Sequence, residues 1–179
     1  MPSLPTHAVI ALALGQCAPQ ETRTNWKFWF LAVLCSVLPD FDVIGFSFGI
    51  PYGDFWGHRG LTHSILFALL IGMSAGAILG GSLIERAANS FLLFAITCSH
   101  GVFDAMTNGG LGVAFFSPFH TTRYFLPWRP IQVSPIGLDW FFSARGATIL
   151  WNEMLFVWLP IAAVGLILRV LGKRRKHRV

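Results

Sequence analysis

The chain has 179 residues, 54% of them apolar and only 12% charged, with a net charge of +5 and a mean hydropathy of +0.61. A soluble domain carries about 25% charged residues, so this composition excludes an ordinary soluble globule and reads as one membrane-embedded domain. Five of the 13 Lys and Arg stand in the closing KRRKHRV, which makes the positive balance a topology signal behind an apolar helix and argues against a nucleic-acid patch.

Five apolar segments follow one another. The first covers residues 4–18 and stops at Pro19; the second covers 26–38 and stops at Pro39. The opening MPSLPTHAV lacks a basic stretch, so the first segment is expected to be retained and not cleaved as a signal peptide. The third covers 61–84, the fourth 87–106 and the fifth 147–171. A span needs about 20 residues to cross about 30 Å of hydrocarbon. The last three are long enough. The first two are short and are expected to cross obliquely, reach part way or be extended by their flanks. In the third, Gly72, Gly76 and Gly80 recur every four residues and predict a flat helix-packing face. Residues 108–146 form a long insert, including FFSPFHTTRYFLPWRPIQVSPIGLDWFF, rich in Pro and aromatics and without helical period. Tyr124, Trp128 and Trp140 suit an interfacial belt, and the insert reads as a re-entrant or interfacial loop that covers something. Cys17, Cys35 and Cys98 are odd in number and lack CxxC spacing, which speaks against a disulfide framework. The expected fold is all-α: an integral membrane bundle of about five apolar helices. Residues 1–107 form a four-helix core, 108–146 the interfacial loop, 147–172 the last membrane helix and 173–179 a basic tail.

Polar groups are costly in a membrane chain, so their placement is informative. His7 lies near the start of the first segment. Asp40 and Asp42, in PDFD, follow the end of the second. His58 and His63, in GHRGLTHS, open the third, where Gly57 and Gly60 permit a tight turn and Thr62 is a candidate helix cap. His100 and Asp104 close the fourth. In an up-down-up-down bundle these four points share one end. His100 and Asp104 also share a helix face, being four apart. Each histidine alone reads equally well as a hydrogen-bonded interfacial residue. Together, four of the six histidines and three of the five aspartates meet at one predicted pole, and the pattern points to a metal site. Imidazole with carboxylate and no thiolate suits Zn2+, with Mn2+ or Fe2+ as alternatives. The donors exceed one tetrahedral shell, so one to three ions, or one ion with a general base, would use them. Arg59 reads either as a clamp on an anionic oxygen or as a membrane-surface anchor.

THAVIALALG, LPDFD, GHRGLTHSIL and SHGVFDAMTNGG, in this order, resemble the bacterial inner-membrane family called YdjM-like, described as metal-dependent hydrolases and as LexA-regulated. The resemblance covers roughly residues 5 to 120. Its motif falls on His7, Asp40, Asp42, His58, His63, His100, Asp104 and Thr107. Val43 stands where some relatives carry a further histidine. The family in turn is distantly similar to zinc-dependent phospholipase C, which by analogy implies phosphoester hydrolysis. LexA regulation concerns expression and implies no nucleic-acid contact. His120, Asp139 and Glu153 lie outside the shared motifs and read as structural or substrate-facing.

The end opposite the His/Asp cluster holds nine Lys and Arg (Arg23, Lys27, Arg86 and six from Arg169 to Arg178), against four beside it (Arg59, Arg123, Arg129 and Arg145). The positive-inside rule puts the tail in the cytoplasm and the cluster toward the periplasm. The expected function is a multi-pass inner-membrane hydrolase acting on a phosphoester of a lipid or lipid-linked substrate. His7, Asp40, Asp42, His63, His100 and Asp104 would be metal ligands, with His58, Arg59 and Asp40 catalytic. The alternative is a membrane protein with a structural metal, acting as sensor, carrier or scaffold. The substrate and the oligomeric state are not legible in the sequence.

Overall fold

A computed structural model describes residues 1–136 and 141–176. Among them every regular element is helical, and strand-like pairing is limited to two isolated bridges, Thr107 with Ile131 and Val113 with Tyr124. Helix α1 is Leu4–Gly15, with proline in its first turn, where the missing N–H is no loss. A short helix α2, Gln20–Thr24, turns the chain back. Helix α3, Trp26–Val37, starts where the Asn25 side chain accepts a hydrogen bond from Lys27 N.

Pro39 ends the α-helix without ending the helical rise. It sits in the first turn of a 3-10 segment, Leu38–Phe48, which closes at Gly49 with φ 76°. Trp26–Phe48 is therefore 23 residues long and, among the described residues, one of two helices apolar and long enough to cross a membrane; the other is Ala144–Ile167. Of the alternatives expected for the second segment, extension by its flank is the one seen, because Pro39 does not end the helical rise.

The third segment changes in the opposite sense. Leu61–His63 is a single 3-10 turn. Helix α4 runs only from Ile65 to Leu79, 15 residues, or about 22 Å, and stops at Gly80 with φ 73°. Its cap is Ser64, whose hydroxyl accepts from Phe67 N, and not Thr62. Helix α5, Leu83–Ala105, starts earlier than expected, behind a reciprocal Ser82–Glu85 capping box. Its first turns carry Glu85, Arg86, Asn89 and Ser90, so its apolar part is shorter than a span. Helix α6, Ala144–Glu153, a π turn, Met154–Trp158, and helix α7, Leu159–Lys176, run on without a break. The fold is thus all-α with two candidate spans and shorter apolar helices packed among them, and it does not show five full crossings.

Small residues bring α1, α3, α4 and α5 together around Ala11, Phe28, Ala32, Cys35, Ala75, Leu93 and Ile96. A Cβ at Gly72 would lie 2.4 Å from Phe94 N, and one at Gly76 2.6 Å from Ser90 N. These two glycines form the close α4–α5 face; Gly80 ends the helix instead. A second cluster, Ile10, Ile131 and Val157, joins α1, the insert and the π turn. Beside it, the buried Glu153 carboxylate accepts from Ser3 N (2.6 Å), Thr6 Oγ1 (2.6 Å) and the Ser3 hydroxyl. Thr6 Oγ1 also accepts from Trp158 Nε1 at 2.8 Å. Helix α1 makes no side-chain cap of its own, and Glu153 supplies the anion its N-terminus favours.

The insert is extended but tied down. Asn108 N donates to Ile131 O, Leu126 N to Ala105 O, and Val113 and Tyr124 exchange both backbone bonds, all at 2.9 Å; Ser134 N donates to Met1 O at 2.8 Å. Asn152 accepts from Gln132 N at 2.7 Å. Trp128 and Tyr124 are exposed. Trp140 and Asp139 lie outside the described residues, as do residues 177–179 of the tail.

Candidate metal centre

Helix α1 leaves one end of the bundle, α3 returns to it, α4 leaves again and α5 comes back, so His7, Asp40, His63, His100 and Asp104 converge. All five are buried. Within that convergence the structure separates two groups, because residues two apart on a helical turn face different ways. At about three residues per turn, Asp40 and Asp42 point in different directions: Asp40 faces His63 and His100, and Asp42 faces the GHRG loop.

The inner group is Asp40, His63, His100 and Asp104, four side chains whose ligand atoms lie within 4.8 Å of one another and could hold a metal ion. His100 Nε2 is 3.3 Å from Asp40 Oδ1, and His63 Nε2 is 3.6 Å from the same oxygen and 3.4 Å from Asp104 Oδ2. The two Nε2 atoms are 3.1 Å apart. Donors at 2.0–2.1 Å from a tetrahedral ion stand about 3.3–3.4 Å from each other, the spacing around which these four distances scatter. Among the described residues, both oxygens of Asp40 and both of Asp104 are buried without an aligned hydrogen bond, as is His7 Nε2. Buried carboxylates without aligned hydrogen bonds are expensive; Arg59 at 2.9 Å offsets part of this for Asp104, and a cation at the common focus of the four donors would offset the rest. His100 turns Nδ1 to Ser36 O at 2.6 Å, which leaves Nε2 free to ligate. His7 stacks on His100 with ring centroids 3.8 Å apart, and its Nε2 stands 3.6 Å from Asp104 Oδ1. It sits at the margin of the group.

The outer group is Asp42, His58 and His63, whose ligand atoms also lie within 4.8 Å of one another and could hold a metal ion, as the sequence reading of Asp42 expected. Asp42 is saturated with partners: His58 Nδ1 at 2.7 Å, Arg59 N at 3.2 Å, Thr62 Oγ1 at 2.7 Å and His63 Nδ1 at 3.2 Å. In this arrangement Asp42 orients the two imidazoles, as a carboxylate behind a ligating histidine does. Burial pushes the His58 pKa down, partly offset by the Asp42 hydrogen bond. Burial also disfavours charge on His63, but its contacts with Asp104, Asp40 and Asp42 override this and hold its pKa well above the histidine norm.

The loop holds this shape because Gly57 and Gly60 leave no room for a side chain. A Cβ at Gly57 would lie 2.2 Å from Pro51 O, and one at Gly60 2.3 Å from Phe55 O. Arg59 between them takes φ 63° and is fully buried. Its Nε is 2.9 Å from Asp104 Oδ2, Nη1 donates to Gly109 O and Nη2 to Thr107 Oγ1, both at 3.1 Å. Arg59 is therefore buried and engaged: it neutralises Asp104 and locks α5 to the start of the insert. Thr107 earns its place in the motif as this partner.

Sequence reasoning missed three contributors. Ser36 offers only a backbone carbonyl, which no motif records. Tyr52 packs edge-on against His58 at 5.1 Å. Arg123 of the insert donates to His58 O (2.8 Å), Tyr52 O (3.1 Å) and Asp54 O (3.1 Å); the one legible signal was an arginine in an aromatic, helix-free stretch.

Comparison with known proteins places these features in context. The family model of the YdjM inner membrane proteins matches residues 1–177. The chain is 34% identical over 163 residues to inner membrane protein YbcI of Escherichia coli (strain K12), covering 89% of this chain and 92% of that protein. No solved structure matches.

Proposed function

The chain belongs to the YdjM inner membrane protein family, and we propose that it is a metal-dependent hydrolase of the inner membrane, acting on a phosphoester of a lipid or lipid-linked substrate. The observation that carries this reading is the inner group: two imidazoles and two buried carboxylates whose ligand atoms lie within 4.8 Å of one another, four of the mutual distances being 3.1–3.6 Å. Asp40, His63, His100 and Asp104 would hold the ion, Zn2+ by donor chemistry, with Mn2+ or Fe2+ as alternatives. The chemistry a divalent ion supplies there is Lewis acidity toward a phosphoryl oxygen and activation of water. The chain's own residues do the rest. His58, neutral by burial and oriented through Nδ1 by Asp42, is the general base, in the carboxylate–imidazole arrangement that fixes a base for proton transfer. Asp42 aligns His63 and His58 together. Arg59 keeps Asp104 ionised and in place. Lipid access is favoured by the 3-10 segment, which carries exposed Phe41, Ile44, Phe46 and Phe48 past Asp40, so apolar surface extends beyond the cluster. By basic-residue balance the tail lies in the cytoplasm and the cluster toward the periplasm.

A second reading has its own observation. The inner group supplies four donors, all buried, and a structural ion site is closed by four protein ligands whereas a catalytic one keeps a position open. One experiment separates the two: metal analysis of the detergent-purified protein, then phosphate release from lipid phosphates by wild type and His100→Ala. The hydrolase reading expects bound metal and turnover, with His100→Ala losing most of both. Bound metal without turnover on any lipid class favours the structural ion.

A further inference from the structure

The long apolar helix Ala144–Ile167 carries a fully buried carboxylate, Glu153. An ionisable group in such a segment is costly and faces the interior of the bundle for a reason. Directly after it the helix changes to a π turn, Met154–Trp158. Pro160 gives the local cause: it has no N–H, and its ring crowds the carbonyl four residues back, that of Phe156, so a regular α-helix is interrupted there. Residues five apart on an α-helix point about 140° away from each other. A π turn bonds residue i to i+5 and winds more slowly, which brings Glu153 and Trp158 to the same side. Both close on one hydroxyl: Thr6 Oγ1 donates to Glu153 Oε2 at 2.6 Å and accepts from Trp158 Nε1 at 2.8 Å. Ser3 N donates to the other carboxylate oxygen at 2.6 Å. Val157, between the two, packs in one cluster with Ile10 of α1.

The residue after Thr6 is His7. Its ring lies on that of His100 with centroids 3.8 Å apart and planes 16° from parallel, and its Nε2 turns to Asp104 Oδ1 at 3.6 Å. His100 is thus held from two directions, by Ser36 O on Nδ1 at 2.6 Å and by His7 across its face. Helix α1 has no side-chain cap of its own, so its axial and rotational setting depends on what grips Ser3 and Thr6. We propose that Glu153 and Trp158 are positioning residues of the metal centre. The π turn presents them together, they fix α1 through Thr6, and α1 holds His7 against His100 so that His100 Nε2 stays aimed at Asp40. The last long helix thereby sets the geometry of an ion site whose candidate ligands lie on other elements. The inference rests on the metal-centre reading of the inner group and is independent of substrate and of hydrolysis.

The test is titration of chelator-treated, detergent-solubilised protein with Co2+, which stands in for Zn2+ and reports its ligand field in the visible spectrum. Thr6→Ser keeps the hydroxyl and is expected to bind within about twofold of wild type, whereas Thr6→Val keeps the shape, loses both bonds and should bind about tenfold more weakly, with a changed visible band. Trp158→Phe keeps an aromatic ring and removes only the N–H, so it should fold and bind about threefold more weakly; it carries the test if Thr6→Val does not fold. In a His7→Ala background Trp158→Phe should cause no further loss, because the route through His7 is already cut. A latch with a structural role alone would lower the melting temperature in both backgrounds and leave the Co2+ affinity and spectrum of the folded protein unchanged. Wild-type affinity in Trp158→Phe, or a loss that adds in full to that of His7→Ala, overturns the proposal. Failure of the wild type to bind Co2+ is a different result, which overturns the metal-centre reading and this inference with it.

Discussion

His63 touches more of the site than any other side chain. Its Nε2 faces Asp40, Asp104 and His100, and its Nδ1 faces Asp42. An imidazole whose folded pKa is raised stabilises the fold below its unfolded value, about 6.5, and that stabilisation is lost as pH rises through the raised value. His58, pushed down by burial, works against the fold only below about pH 6.5. The melting temperature of chelator-treated protein should therefore fall as pH climbs from 6.5. Metal affinity, measured by competition with a chromophoric chelator, should rise over the same range, because an entering ion must expel the His63 proton. Parallel trends would contradict the assignment of His63 to both roles. Arg59 offers a second check. Arg59→Met keeps a Cβ at φ 63° and so leaves backbone strain unchanged while removing the cation at Asp104. In the ion-free protein it should cost about 3–5 kcal/mol in denaturant unfolding, the scale for stranding one partner of a buried pair. Residue identities at the cluster were legible because His and Asp are conspicuous against apolar sequence. What each does was not. Asp42 looked equivalent to Asp40 until the structure set it against four donors, and Glu153, read as structural or substrate-facing, takes the structural part by holding the start of α1.

Among the elements, the alternation of starts and stops was readable because polar residues punctuate the apolar runs, and that alternation places His7, Asp40, His63, His100 and Asp104 at one end. Lengths were less readable. Proline removes one donor and fixes φ, which interrupts an α-helix from within but suits the first turn of a new helical stretch; Pro39 occupies such a position. The α4–α5 face turns on Gly72, where a methyl group would meet the Phe94 backbone, an obstacle that no rotamer change relieves. Gly72→Ala should destabilise by about 1–3 kcal/mol. Gly165→Ala, in a helix with nothing within 4 Å of the added carbon, should be neutral or slightly stabilising. Equal effects from the two would remove the packing role given to this face.

For the whole molecule, the sequence predicts nine basic residues on the side opposite the cluster and four beside it. A fluorescent-protein fusion after residue 179 should fluoresce and an alkaline phosphatase fusion there should stay inactive, as a cytoplasmic tail requires; the reverse pattern would place the cluster on the cytoplasmic side. The tail and its charge are plain in the sequence. The way the insert closes over the loop is not, because its anchors are mostly backbone groups, Ala114 N on Arg59 O and Ile65 N on Phe115 O, both at 3.0 Å, and such pairings leave no trace in side-chain identity.

Burial also governs time. With every donor of the inner group buried, a guest ion enters or leaves through a local opening of the structure around them, and its exchange rate becomes the rate of that opening. Residence would then be long even where equilibrium affinity is ordinary, so the occupancy found in a purified sample would report the conditions under which the chain was made more than the buffer in which it was kept.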